Sequence, residues 1–339
     1  MIISDALRKN FLIALAVTAG FALLPLAITE RYLLGEVIIF FFWAIVASQW
    51  NLIMGHAGVF SLAQMFLFIC GAYTTAMLVQ FGGLSVWLAM PLGAVVATIA
   101  AVLIGAACLR LTGAYVALLT FAIAEVAHVL IITDTECFRH ISNNCQQLFG
   151  GATGFSRFAD FGFRKLLKAD WMLGNYYVVL TVFTVTIFAT LVIIHGRYGL
   201  AFRAIRDNLG YASSRGISRF KYQLIVFAIS AFFTGSAGAV YAAHFRFAGP
   251  SLFEFSTLML ILSMVIVGGL GSTWGPFIGA AVMMIVVEWM KEFGDARNIG
   301  MGLALIVFVL FMPGGLAGGF KSALAKVLPR AAKPPVENS

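Results

Sequence analysis

Charge is what this sequence has least of. Only 11% of its 339 residues are Asp, Glu, Lys or Arg, against about a quarter in a soluble domain. A soluble fold of this size needs far more charge to cover its surface, so a water-soluble enzyme is excluded. Nucleotide chemistry is absent too. No G-x-x-x-x-G-K-[ST] occurs, so the chain has no phosphate-binding loop for ATP. Gly268, Gly269 and Gly271 do not continue into a dinucleotide fingerprint, and they follow an apolar run rather than a short strand. The five histidines show no H-E-x-x-H spacing, so no metal site, no cofactor and no catalysis within this chain is expected. The net charge of +8 does not point to nucleic acid, because the basic residues cluster beside apolar runs, where they report membrane topology. Behind Arg8 and Lys9, the run 11–28 has no small-residue cleavage site after it, and it reads as a retained first helix.

What is present is apolar length. A hydrocarbon core about 30 Å thick takes about 20 apolar residues per helix. Runs of that kind fall at 11–28, 36–54, 61–80, 86–109, 114–132, 175–195, 223–245, 256–270, 275–291 and 298–312. The expected fold is an all-α polytopic membrane protein with about ten transmembrane helices. The runs are continuous rather than alternating, which excludes a β-barrel. The third and eighth carry many small or polar residues and are expected to be broken or re-entrant, which is tolerated only where the backbone is buried in protein.

Charge sets the orientation. Segment 196–222 holds Arg197, Arg203, Arg206, Arg215, Arg219 and Lys221 against Asp207 alone, and the end of the chain holds Lys321, Lys326, Arg330 and Lys333 against Glu337. Both read as cytoplasmic, and ten spans then put residues 1–10 inside as well. The expected organisation is a cytoplasmic N-terminus (1–10), one transmembrane domain (11–320) and a disordered cytoplasmic tail (321–339). Within that domain, 133–173 is an external loop and 196–222 a cytoplasmic one. Cys137 and Cys145 lie in the external loop, where a disulfide and two free thiols are both open readings.

A few polar residues interrupt the spans. Glu125 and His128 share a helical face at three-residue spacing. Glu125 reads either as part of a translocation path or as a structural carboxyl bonded to a neighbouring helix. Region 49–73 clusters Asn51, Ser61, Gln64 and Tyr73 among glycines; as a group they suit a path, while singly each suits packing glue. In 196–222, Phe202, Ile205 and Leu209 form the stripe of a short amphipathic helix ended by Gly210 and Gly216. That stripe fits either an anionic-lipid contact or a docking helix for a cytoplasmic protein. Gly268, Gly269, Gly271 and Gly275 suit a cytoplasmic-side turn or gate, or close helix packing.

Four stretches carry a resemblance. Asn51, Gly55, Gly58 and Ser61, leading to Gly71, Ala72, Tyr73 and Thr74, are similar to N-L-x-x-G-x-A-G-x-x-S-L…G-A-Y-T. Leu109, Arg110, Gly113 and Tyr115, with Thr120 and Glu125 beyond, look like the next block. Arg203, Arg206, Asp207 and Asn208, with Gly216 and Ile217, resemble a loop that contacts an ATPase. Met264 to Pro276, through Gly268, Gly269, Gly271, Trp274 and Gly275, is the most specific of the four. The chain resembles the permease subunits of bacterial ABC importers for branched-chain amino acids, of the LivM type. The resemblance implies a type II-like importer permease fold in the bacterial inner membrane. It also implies a second homologous permease, two cytoplasmic ATP-binding subunits and an external solute-binding protein as partners. Arg203, Arg206, Asp207, Gly216 and Ile217 would then couple to the ATPase, and Asn51, Ser61, Gln64, Tyr73, Tyr115 and Glu125 are candidates for the pathway. The sequence departs from the family at 209–215, which lacks the usual acid and paired alanines, and at Gln64, where many relatives have His. Branched-chain amino acids are therefore the family default, with urea, amides or another small polar solute as the alternative. A sugar permease of the same broad importer superfamily, a secondary transporter and a polytopic membrane enzyme are the remaining readings.

Overall fold

The apolar runs fold as helices because lipid offers the backbone no hydrogen-bond partner, so each segment must satisfy its own. A computed structural model describes residues 2–318 except 29, 112, 142–143, 167–169, 295 and 312–313. The expected tail, 321–339, lies outside the described residues. The helices are α1 (Ile2–Ala27), α2 (Arg31–Asn51), α3 (Gln64–Gln80), α4 (Val86–Cys108), α5 (Ala114–Ile132), α6 (Phe163–Leu166), α7 (Trp171–His195), α8 (Arg197–Asp207), α9 (Leu209–Ser214), α10 (Arg219–Phe245), α11 (Phe255–Gly268), α12 (Gly275–Trp289) and α13 (Ala296–Phe311). Ten of them match the ten apolar runs, and the molecule is an all-α polytopic membrane protein.

Among the described residues, six helices are long and apolar enough to cross a membrane: α1, α2 with its continuation to His56, α4, α5, α7 and α10. The others are shorter. At 1.5 Å per residue, α11 and α12 reach only about 21–23 Å. The eighth, expected to be broken or re-entrant, is a short helix ended by Gly269 at φ +106. The ninth is equally short, with α12 filling the run 275–291 as far as Trp289. The third begins only at Gln64. Ahead of it, Leu52–His56 is a π-helix and the non-helical stretch that follows is buried at Ala57, Val59, Ser61 and Ala63, as unwound backbone at this depth must be.

Successive helices alternate in direction and so define two ends. One, the basic end, carries α8 and α9 and gathers the 52–63 segment, the 109–113 turn and the 269–274 turn. Asn10 and residues 314–315 also reach it. The opposite, loop end carries 133–170. Small ribbons there depart from an all-helical chain: β1 (Arg139–Ile141) pairs with β2 (Asn144–Gln146), and β3 (Phe155–Ser156) with β4 (Phe247–Ala248). Arg246, at φ +53, donates to the carbonyls of Phe158 (2.7 Å) and Arg157 (3.0 Å), tying this loop to the end of α10.

α2 is the central post. Residues 41–51 are all buried, packed against α7, α10, α11 and α12, with Phe41 and Phe183 ring centroids 4.7 Å apart. Beside it, α3, α4 and α10 pack backbone to backbone. A side chain on Gly71 would strike the Gly235 carbonyl, and one on Gly238 the Phe68 carbonyl. Small residues permit this approach between membrane helices. α5 is different. It buries only Val116, Ala117, Thr120, Ala124 and Ile131, and leaves a broad face uncovered.

Candidate functional site

At the basic end, α7 turns sharply into α8 at Gly196, and Gly199 lies against the Ile194 carbonyl too closely for any side chain. Arg203 folds back, donating from Nε to Gly199 (3.1 Å) and from Nη2 to Ile194 (3.2 Å). A cation there satisfies helix-end carbonyls and complements the C-terminal dipole of α7. Phe202 and Ile205 anchor α8 in the core, while 206–211 are exposed. Leu209, expected in the buried stripe, is instead 40% exposed. Asn208 leaves helical geometry, and its side chain accepts from the Tyr211 amide at 3.0 Å, starting α9. Gly210 therefore lies inside α9 rather than ending a helix. Gly216, at φ +78, and Ile217 follow α9 and stand apart from the contacts below.

Arg206 pairs with Asp207 (2.8 Å) and donates from Nη1 to the Gly55 carbonyl at 2.5 Å. Gly55 belongs to the π-helix, and a side chain there would collide with Asn51 and the Gly271 backbone. The Asn51 amide closes the set: Nδ2 donates to the Ser272 carbonyl (2.9 Å), and Oδ1 accepts from the Gly271 amide (2.8 Å). The Gly275 amide donates to Ser272 Oγ (2.8 Å), and Gly268 and Gly275 touch through their backbones where α11 meets α12. Gly269 lies against 314–315. A second chain of bonds braces the same turn: Trp274 Nε1 donates to Asn10 Oδ1 (3.0 Å), and Asn10 Nδ2 donates to His195 Nε2 (3.1 Å), whose Nδ1 donates to the Leu191 carbonyl. α8, the π-helix and the 269–274 turn thus form one hydrogen-bonded latch.

The pathway candidates do not come together. Asn51 belongs to the latch. Gln64 is buried between helices, donating to Thr234 Oγ1 (2.5 Å) and Ser230 Oγ (3.1 Å). Ser230 continues to the Gln49 carbonyl, and Gln49 Nε2 to Thr190 (2.8 Å). Ser61 is buried, and its carbonyl accepts from Trp50 Nε1 at 2.8 Å. Ser230 and Thr234 escaped the sequence reading, although two hydroxyls four apart in an apolar run share one helical face. Tyr73 lines a cavity of about 220 Å³ between α3 and α5. Tyr115 is 68% exposed on the outward face of α5. Glu125 shares that face with Leu118, Ala122 and Val129, and pairs with His128 at 3.5 Å. Cys137 is disulfide-bonded, Cys70 and Cys108 are free, and the Cys145 side chain lies outside the described residues. Among the described residues, no group of three His, Cys, Asp or Glu could hold a metal ion.

The latch thus joins a short amphipathic helix, α8, to the turn between two half-length helices, α11 and α12. Residues 32–312 match the family described as the branched-chain amino acid transport system / permease component. The chain belongs to that family. It is similar to the high-affinity branched-chain amino acid transport system permease protein LivM of Salmonella typhimurium and of Escherichia coli. Each is 28% identical over 277 residues, which cover 78% of this chain and 65% of the relative. It is also similar to LivH of the same transport system in Escherichia coli, 23% identical over 298 residues, 81% of this chain and 91% of the relative. The matched portion thus spans 65% of the length of the LivM relatives. No solved structure matches. Within the family match lie every latch residue contributed by α2, α8 and the 269–274 turn; Asn10, on α1, lies outside it.

Proposed function

We propose that this chain is a permease subunit of an ABC importer in the bacterial inner membrane. It carries branched-chain amino acids inward and is powered by separate ATP-binding subunits. The observation that carries this reading is the latch. Phe202 and Ile205 hold α8 to the core, its exposed end is free to receive a cytoplasmic partner, and Arg206 and Asn51 connect that end to the turn joining α11 and α12. Two ATP-binding subunits closing on ATP push α8. The latch passes that displacement to the 269–275 turn, and largely rigid-body movement switches the path between outward and inward access. Arg203, Arg206 and Asp207 form the coupling contact, with Gly216 and Ile217 shaping its rim. Gly268, Gly269, Gly271 and Gly275 form the gate.

The positive-inside bias supports a cytoplasmic basic end, so both termini face the cytoplasm and the loop end receives an external solute-binding protein. Glu125 supports a second permease. A carboxylate near mid-span is too costly to present to lipid, yet α5 leaves it 40% exposed. The uncovered face of α5 therefore meets a homologous subunit, and Tyr115, Glu125 and Tyr73 border the path between the two. A bridge from Cys137 to Cys145 fits the oxidising side.

Reconstitution tests the reading. Proteoliposomes holding this chain, its sister permease and the ATP-binding subunits should take up leucine only with ATP and binding protein present. Leucine uptake by this chain alone under an ion gradient would instead establish a secondary transporter.

A further inference from the structure

Resting on that reading, we propose that the crevice between α3 and α5 is an outer-side seat for the solute's aliphatic side chain. One wall is fixed, because the far side of α3 is packed against α10 through Gly71, Gly235 and Gly238. The other wall is pinned at one end only. Toward the basic end, the Leu62 amide donates to Thr120 Oγ1 at 3.0 Å and closes the crevice. Toward the loop end the helices part around a cavity of about 220 Å³, with Ile69 and Met77 on one side, Leu130 and Ile131 on the other, and Phe253 above.

Size and chemistry suit a branched alkyl group. An apolar cavity of about 150 Å³ holds a six-carbon ring, so this one accepts an isobutyl or sec-butyl group with room to enter and leave. No Asp, Glu, Lys or Arg lines it, so it rejects a charged side chain through desolvation. The ammonium and carboxylate of the solute stay at the mouth, on the side of the second subunit. The roof is itself positioned: the His128 ring stacks on Phe253 with centroids 5.0 Å apart and planes 11° from parallel, and His128 pairs with Glu125. The outward carboxylate and the roof of the seat are thereby linked.

Cys70 lines the cavity and is a free thiol, which makes it a built-in reporter. In the assembled importer carrying Cys108→Ser, leucine delivered by the binding protein should slow modification of Cys70 by a small methanethiosulfonate at least fivefold, while alanine should not. Ala127→Phe fills the cavity from α5 and should lower the leucine-to-alanine uptake ratio at least tenfold, within the 10- to 200-fold range of a small apolar contact. Equal labelling with leucine, with alanine and without solute overturns the seat, as does a rate that tracks only the acyl chains of the surrounding lipid, which would mark a lipid groove. An unaltered uptake ratio in Ala127→Phe also overturns it. If Ala127→Phe fails to assemble, the labelling decides. Wild-type importer that takes up leucine yet shows neither effect removes the seat alone; wild-type importer that takes up no branched-chain amino acid removes the transport reading with it.

Discussion

α3 and α5 stand side by side and are built on opposite terms. α3 is packed against α4 and α10 with glycines where backbones touch, so at those points no side chain lies between them to slide or repack. α5 is held by a narrow buried stripe and turns Tyr115, Leu118, Glu125 and Val129 away from its own chain. Close packing without voids transmits displacement as a unit, whereas a helix with an uncovered face needs a partner to complete it. On the proposed function, the contrast separates the part of the subunit that moves rigidly from the part that would meet the second subunit and the solute.

The comparison can be broken from the α3 side first. Gly238→Val should press a side chain into the Phe68 carbonyl and cost about 3 kcal/mol, the upper range of overpacking. Thermal unfolding in detergent should show it as a large drop in midpoint, and an unchanged midpoint would mean that α3, α4 and α10 are not close-packed. On α5, Leu118→Glu should leave the folded subunit intact and reduce co-purification of the sister permease severalfold. Normal pairing would mean this face meets lipid. Glu125→Gln keeps shape and removes charge, and should reduce uptake at normal expression; wild-type uptake would return Glu125 to a structural role. The smallest effect is expected between α3 and α10. Thr234→Val removes one acceptor from Gln64 and should cost about 0.6 kcal/mol, the average for a hydrogen bond between membrane helices.

Much of the fold was legible because hydropathy marks membrane helices directly. The runs located ten helices, and the small and polar residues of 61–80 and 256–270 marked these two as expected broken or re-entrant spans; α3 and α11 are both short. The run 275–291 was itself shorter than a full span, and α12 occupies all of it but the last two residues. Leu209 was misplaced because helical periodicity was carried through Asn208, a residue that favours caps over helix interiors. The latch had no signature of its own, since Asn51 and Gly271 are 220 positions apart. The glycines there marked close approach without saying to what. Gln64 looked like a path residue because polarity in an apolar span does not reveal its partner, and Ser230 and Thr234 supplied one.

The central claim is that α8 drives the gate through Arg206, Gly55 and Asn51, and a double-mutant cycle on transport coupling tests it most directly. Asn51→Asp cannot donate to the Ser272 carbonyl, and Arg206→Ala cannot reach Gly55. Each alone should lower the leucine moved per ATP hydrolysed about tenfold, a loss in keeping with a broken, partly buried hydrogen bond. Residues acting in one chain lose their effect once, so the double variant should be no worse than the more impaired single one. Losses that multiply to about a hundredfold, or coupling that survives either change, would contradict the account.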